Sequence, residues 1–272
     1  MRLGLPRRRV LVRPSGAVAV AVASFGEPRA VQGFTANGSA PFNYNYLDFG
    51  PGMSHASDPN VCPAFSFGSS LVRSGVRNDL LTQNLGDTDS GADTVWIARS
   101  FGQVYVETRA SQTVMNRANA YGTTTTDGGI YDVDVTHSGK ASDYAEIWVN
   151  DTQATVTPTT RPAAAPGDPS MSLLCGEVDR QSQGAPFIKW AQYLMSVQQT
   201  PAQRAELRSR ISAGLHDGAG SVVEHILSID PGGSYWYADD ASDLTVGVRD
   251  LCGNRDAIAV NLGPSNLVAV PS

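Results

Sequence analysis

Lysine is nearly missing from this chain. Of 20 basic residues only Lys140 and Lys189 are lysines, and the rest are arginines. Charged residues of all kinds make up 17%, against 41% apolar ones, which excludes an intrinsically disordered chain. No apolar run approaches the ~18–20 residues that a membrane-spanning helix needs. Cys62, Cys175 and Cys252 stand far apart with no CxxC pair, so a zinc ribbon and a thioredoxin-like site are excluded. They read as buried small apolar residues, with one disulfide plus a free thiol as the alternative.

Signatures of catalysis are equally scarce. There is no GxSxG, no SxxK and no GxGxxG after a strand. The segment Ser138–Ser142 fails as a phosphate loop, because Asp134 stands where that loop requires glycine. His55, His137, His216 and His225 show no metal-ligand spacing, and His216 and His225 read as surface residues near helix ends. The expectation is a protein that is not an enzyme and has no resident cofactor.

What is present is alternation. Between Asp93 and Pro158, Val95 and Ile97 alternate with Trp96 and Ala98, and Val104 and Val106 with Tyr105 and Glu107. Tyr131, Val133 and Val135 alternate with Asp132 and Asp134, and Ile147 and Val149 with Trp148 and Asn150. This period of two, with Gly and Ser-Gly breaks, predicts antiparallel strands with one wet face. Asp132 and Asp134 belong to that wet face.

The flanks differ in character. Residues 1–26 hold five arginines and no acid, so the remainder carries −11 once these are set aside from the net −6. Arg9–Arg13 and Ala17–Phe25 read as a hairpin or extended arm around Pro14-Ser15-Gly16, in preference to an export signal or a transit peptide. Residues 28–92 are rich in Gly, Pro, Asn and Ser, with a strand over Pro41–Gly52, a further strand in 64–75, and a short helix around Asn78–Asn84. Pro158, Pro162, Pro166 and Pro169 mark a linker or surface strap.

Beyond it the period lengthens. Phe187, Trp190, Ala191, Leu194 and Val197 fall on one helical stripe. Thr200, Pro201 and Gln203 form a capping box for a helix to Ala213 with the stripe Leu207, Ile211 and Leu215. Ser221 opens a third helix that stops at Asp230-Pro231. Strands return over SYWYADD, DLTVGVRDLC and AIAVNLGPSNLVAV.

The fold class expected is therefore α+β and mainly β. It is an antiparallel, jelly-roll-like β-sandwich covered on one side by short amphipathic helices. The chain divides into an arm (1–27), a β domain with long loops (28–157), the proline strap (158–170) and a helix-then-strand part (171–272) on the same sheet.

Three function classes follow. An arm, a strap and a strand-rich body suit an assembly subunit, most concretely a coat or decoration protein of a virus or phage particle, located in the virion. Its partners would be copies of itself or another particle protein. Arg7, Arg8, Arg9 and Arg13 would then touch an acidic neighbour, or nucleic acid through the arm alone. The alternative is a carbohydrate-binding module or glycan-acting enzyme. It rests on the aromatic rows Phe42/Tyr44/Tyr46 and Tyr235/Trp236/Tyr237, the latter beside Asp239, Asp240 and Asp243. The third is a calcium-stabilised adhesin, in which Asp87, Asp89 and Asp93 would hold Ca2+. The plainer reading of those three aspartates is a solvated turn. Asn37-Gly38-Ser39 and Asn150-Asp151-Thr152 match the glycosylation sequon.

Overall fold

The computed structural model describes residues 26–33, 46–51, 63–72, 77–83, 95–100, 103–111, 113–121, 128–162, 172–176 and 187–271. They build two antiparallel sheets of nine strands each. The first runs β10 (Thr152–Gln153), β9 (Glu146–Val149), β8 (Ile130–Ser138), β3 (Ala64–Val72), β13 (Phe187–Met195), β1 (Pro28–Gly33) and β15 (Ala238–Asp239). Two further strands join it: β14 (Ser234–Trp236) on β13 and β18 (Leu267–Ala269) on β1.

The second sheet begins β11 (Val156–Pro162), β7 (Val114–Ala120), β6 (Gln103–Ser111), β5 (Val95–Ser100) and β4 (Arg77–Gln83). It continues through β12 (Ser172–Gly176), β2 (Tyr46–Pro51), β17 (Ala257–Val260) and β16 (Gly247–Val248). In the first sheet β13, from the C-terminal third, lies between β3 and β1, whereas in the second sheet that third supplies the end strands β17 and β16.

Alternation explains how the sheets meet. Phe65, Phe67, Leu71, Val133 and Val135 of the first sheet share one buried cluster with Phe49, Val95, Ile97, Val104 and Val106 of the second. The molecule is a β-sandwich. Phe65 and Phe67 are fully buried, and each such side chain contributes about 1.5–3 kcal/mol relative to exposure. Phe49 of β2 stacks on Trp236 of β14 with ring centroids 4.1 Å apart, which ties the two sheets together.

The opposite faces of these strands are not wet, which corrects the sequence expectation. Trp96 and Tyr105 meet edge to face at 5.2 Å and are buried, with the Arg117 guanidinium over the Tyr105 ring. Glu107 beside them is fully buried and ion-paired with Arg117 and Arg161. On the first sheet Asp134 is buried as well. Its carboxylate takes the guanidinium of Arg208, and Arg204 reaches its second oxygen at 3.1 Å.

Both arginines lie on helix α1 (Pro201–Ser212), and the expected capping box is there: Gln203 N donates to Thr200 Oγ1, and Thr200 N donates to Gln203 Oε1. The buried residues of α1 are Arg204, Leu207 and Arg208, whereas Leu215 beyond its end is 47% exposed. The helix is therefore fixed by charge as much as by its apolar stripe. Leu207 joins Val222 and Ile226 of helix α2 (Val222–Ile229) in a second cluster with Tyr193, Met195 and Tyr235. Ser221 caps α2 as expected, accepting from Glu224 N.

Two helix expectations fail. Residues 187–195 form strand β13, and residues 77–83 form strand β4. In β13 the pairing slips between Trp190 and Tyr193, and Ala191 sits at φ +48. Such a bulge shifts side chains by one position, so apolar residues on both faces of a buried strand imitate a helical spacing.

Candidate ligand-binding site

The last third of the chain is a set of short strands and turns held by one carboxylate. Asp250 is fully buried. Its Oδ1 accepts from Tyr235 N at 2.8 Å and Cys252 N at 2.9 Å, and its Oδ2 from Asn254 N at 3.0 Å and Arg255 N at 2.8 Å. A buried anion is stable only with such donors, and here it satisfies four backbone N–H groups that the turn leaves without strand partners. Asp250 N in turn donates to Asp256 Oδ1. The turn thus fixes Asp256 beside β17.

Next to this turn, β16 returns along β17. Gly247 has φ +148, and a Cβ there would lie 2.0 Å from the Ala257 carbonyl oxygen. Only glycine permits that approach. In the preceding loop Asp243 Oδ1 accepts from Thr245 N and Oγ1, while Ser242 Oγ donates to Asp239 Oδ1.

These elements line a cavity of about 650 Å³ that is open to solvent. Tyr237, Val248, Leu251 and Ala257 give it apolar walls, and Val246 and Ile258 stand in its lining at 73% and 57% exposure. Asp217, Asp239, Asp243 and Asp256 are among its lining residues, together with Arg249. The lining is apolar with a few fixed hydrogen-bonding groups, the composition of small-molecule sites in general.

Behind the wall the Tyr237 ring lies 4.0 Å from the His216 ring, whose Nδ1 is 2.9 Å from the Tyr235 hydroxyl. Burial pushes His216 down to about 4 and the Tyr237 hydroxyl up to about 12. The Cys252 thiol is also pushed up to about 12, by burial and then by Asp250, Asp217 and Asp230. Its hydrogen bonds to Thr245 hold the Asp243 carboxyl below the usual carboxylate range. Neither His216 nor Cys252 is among the residues that line the cavity.

The structure separates the residues that the sequence grouped. Of Tyr235, Trp236 and Tyr237 only Tyr237 lines the cavity. Trp236 is buried against Phe49 with its Nε1 donating to Arg255 O, and Tyr235 is buried on His216. Asp239 and Asp243 line the cavity, whereas exposed Asp240 accepts from Glu27 N. Asp132 and Asp134 both pair with Arg208 and lie outside the cavity lining.

His216 is buried rather than a surface residue. His137 is buried too, its Nδ1 accepting from Gly139 N. Cys252 is a free thiol, half-buried. Phe42, Tyr44, His55, Cys62, the aspartates Asp87, Asp89 and Asp93, and Arg7, Arg8, Arg9 and Arg13 lie outside the described residues. Among the described residues no group of three or more His, Cys, Asp or Glu is arranged to hold a metal ion.

Sequence reasoning did not bring Asp217, Asp256, Arg249, Val246 and Ile258 together. They are up to 41 positions apart, and nothing in their local pattern marks them as neighbours.

No family model matches the sequence, and no curated protein matches it significantly. Among solved structures the fold overlaps loosely with a heptameric SAP-like pentraxin from Limulus polyphemus, at 8% identity and a TM-score of 0.36, over 66% of this chain and 82% of that one. A botulinum neurotoxin type C structure, described for its interaction with two ganglioside molecules, overlaps 66% of this chain and 46% of the toxin chain, at 11% identity and a TM-score of 0.39. The CBM40 of the Ruminococcus gnavus IT-sialidase, bound to α2,3-sialyllactose, overlaps 58% of this chain and 93% of that module, at 9% identity and a TM-score of 0.34.

Proposed function

We propose that this chain is a carbohydrate-binding β-sandwich module that holds a neutral or basic sugar in the cavity between Tyr237 and Ile258. The observation that carries the reading is the set of lining residues: Tyr237 and aliphatic side chains with four aspartates and one arginine around about 650 Å³. Sugar hydroxyls are hydrogen-bond donors that carboxyl oxygens accept, and the C–H faces of a sugar ring fit Tyr237, Val246 and Ile258. Four acidic groups against one basic group disfavour phosphates and nucleic acid. The role is binding without turnover.

The reading includes a jelly-roll-like order of the sandwich, with α1 and α2 as a cover on the first sheet; the Arg208–Asp134 and Leu207–Tyr193 contacts support that cover. The particle-subunit reading leaned on Arg7, Arg8, Arg9 and Arg13, which lie outside the described residues, so it gains no such observation.

The test is a glycan array followed by titration calorimetry on the best hit, with wild type and Ile258→Arg side by side. The expected result is a reproducible glycan class and at least a tenfold loss, about 1.4 kcal/mol, in the variant. Absence of any array signal, with no rise in melting temperature in concentrated sugars, defeats the reading. A shell-sized particle by light scattering would favour the assembly reading instead.

A further inference from the structure

The second sheet has one long open edge among the described residues. At its far end β16 has two residues, and on the first sheet the terminal strands β10 and β15 have two each. Strand β11 has seven, Val156-Thr157-Pro158-Thr159-Thr160-Arg161-Pro162, and is exposed from Thr157 through Thr160. An exposed strand of this length is a template on which another chain can add a strand.

Its prolines fall in one phase. β11 pairs with β7 without a break, from Val156 opposite Ala120 to Pro162 opposite Val114. In an antiparallel pair, alternate residues turn their N–H toward the neighbour and the rest turn it outward. Proline has no N–H, so inside an unbroken ladder it takes the outward positions. Pro158 and Pro162 share that phase with Val156 and Thr160, while Thr157, Thr159 and Arg161 face β7.

The inward side is reinforced, because Asn119 Nδ2 donates to Thr157 O and Thr159 Oγ1. Arg161 donates from Nε to Glu107 Oε2 at 2.8 Å. Half of the outward donors are thus deleted while every inward one is kept.

We propose that β11 is a built stop to strand addition, so that copies of this chain do not extend the second sheet edge to edge. The argument is independent of the sugar-binding reading. It makes Pro158 and Pro162 a device against association rather than part of a contact arm.

The first test is the Pro158→Thr/Pro162→Thr double variant of the full chain. It is compared with wild type by light scattering over a hundredfold concentration range, with thioflavin T fluorescence on the same samples. The expected result is a mass at least twice that of wild type at the highest concentration, growing with concentration. An unchanged mass, with far-UV circular dichroism as in wild type, overturns the proposal.

A second pair of variants reads the phase directly and decides the matter if the double variant does not fold. Thr160→Pro occupies an outward position and is expected to melt with wild type. Thr157→Pro removes an inward donor and is expected to melt several degrees lower. Equal losses in the two variants overturn the proposal.

Discussion

The Arg208 Nε donates to both carboxylate oxygens of Asp134 at 2.9 Å, and both side chains are almost wholly buried. Around this pair Tyr193 donates its hydroxyl to Asp134 Oδ1 at 2.8 Å, and Arg208 Nη1 reaches Ser70 Oγ and Asp132. One arginine therefore joins helix α1 to β3 and β8 at once. Asp132 and Asp134 hold the Arg208 guanidinium firmly in its charged form despite burial.

Removing Arg208 leaves the buried Asp134 carboxylate with only Arg204 at 3.1 Å and the Tyr193 hydroxyl to compensate it. Arg208→Ala is expected to destabilise the fold by about 3–5 kcal/mol in urea unfolding. Glu206→Ala, which removes only the half-exposed pair with Arg210, is expected to cost about 0.3–0.5 kcal/mol. Similar losses for both would mean that the buried network does not anchor the helix.

Gly68 makes room for the same network. A Cβ at this position would stand 2.1 Å from the Tyr193 ring and 2.5 Å from Asp134 Oδ1. Gly68→Ala is expected to cost about 1–3 kcal/mol through displaced packing. Its melting curve checks this, and recovery in the double variant with Tyr193→Leu would identify the ring as the obstacle.

Asp250 holds the turn beside the cavity. Asp250→Ala leaves four backbone N–H groups without their acceptor and is expected to cost about 3 kcal/mol or more. Hydrogen exchange at Cys252, Asn254 and Arg255 should then accelerate well before exchange in β3 and β8. Uniform acceleration would show instead that the turn is no separate unit.

Acid should act through the buried histidines. His216 titrates near 4 in the folded chain, and His137 is also lowered, both chiefly by burial, against an unfolded value of 6.5. The unfolded chain then binds more protons between about pH 6.5 and 4, so stability falls as pH falls through that window. Below it both states are protonated and the His216 contribution is fully lost. His216→Phe keeps the ring against Tyr237 and is expected to flatten the pH 6.5–4 slope of urea midpoints. An unchanged slope would place the acid sensitivity elsewhere.

Much of the sandwich was legible in advance, because alternation is a local property. The strands holding Val95, Val104, Val133 and Ile147 follow from period two, and the caps at Thr200 and Ser221 from residues three positions apart. The strand over residues 187–195 was not legible. A bulge at Ala191 breaks the alternation, and burial on both faces erases the polar phase that would have marked it. Nor was the fate of Asp134 visible, since a polar residue in a strand predicts solvent until a helix 70 positions later supplies its arginines.

The sequence alone determined that this is a strand-rich chain with capped helices, with a proline stretch that cannot be helix or central strand, and an acidic body. Those properties depend on residues within a few positions of one another. Tertiary structure alone decided which face of each strand is covered, which of three adjacent aromatics lines the cavity, and that Asp217, Arg249 and Asp256 meet there. These depend on strand order and register, which arise from burial shared among segments more than 200 residues apart and leave no mark on any one of them.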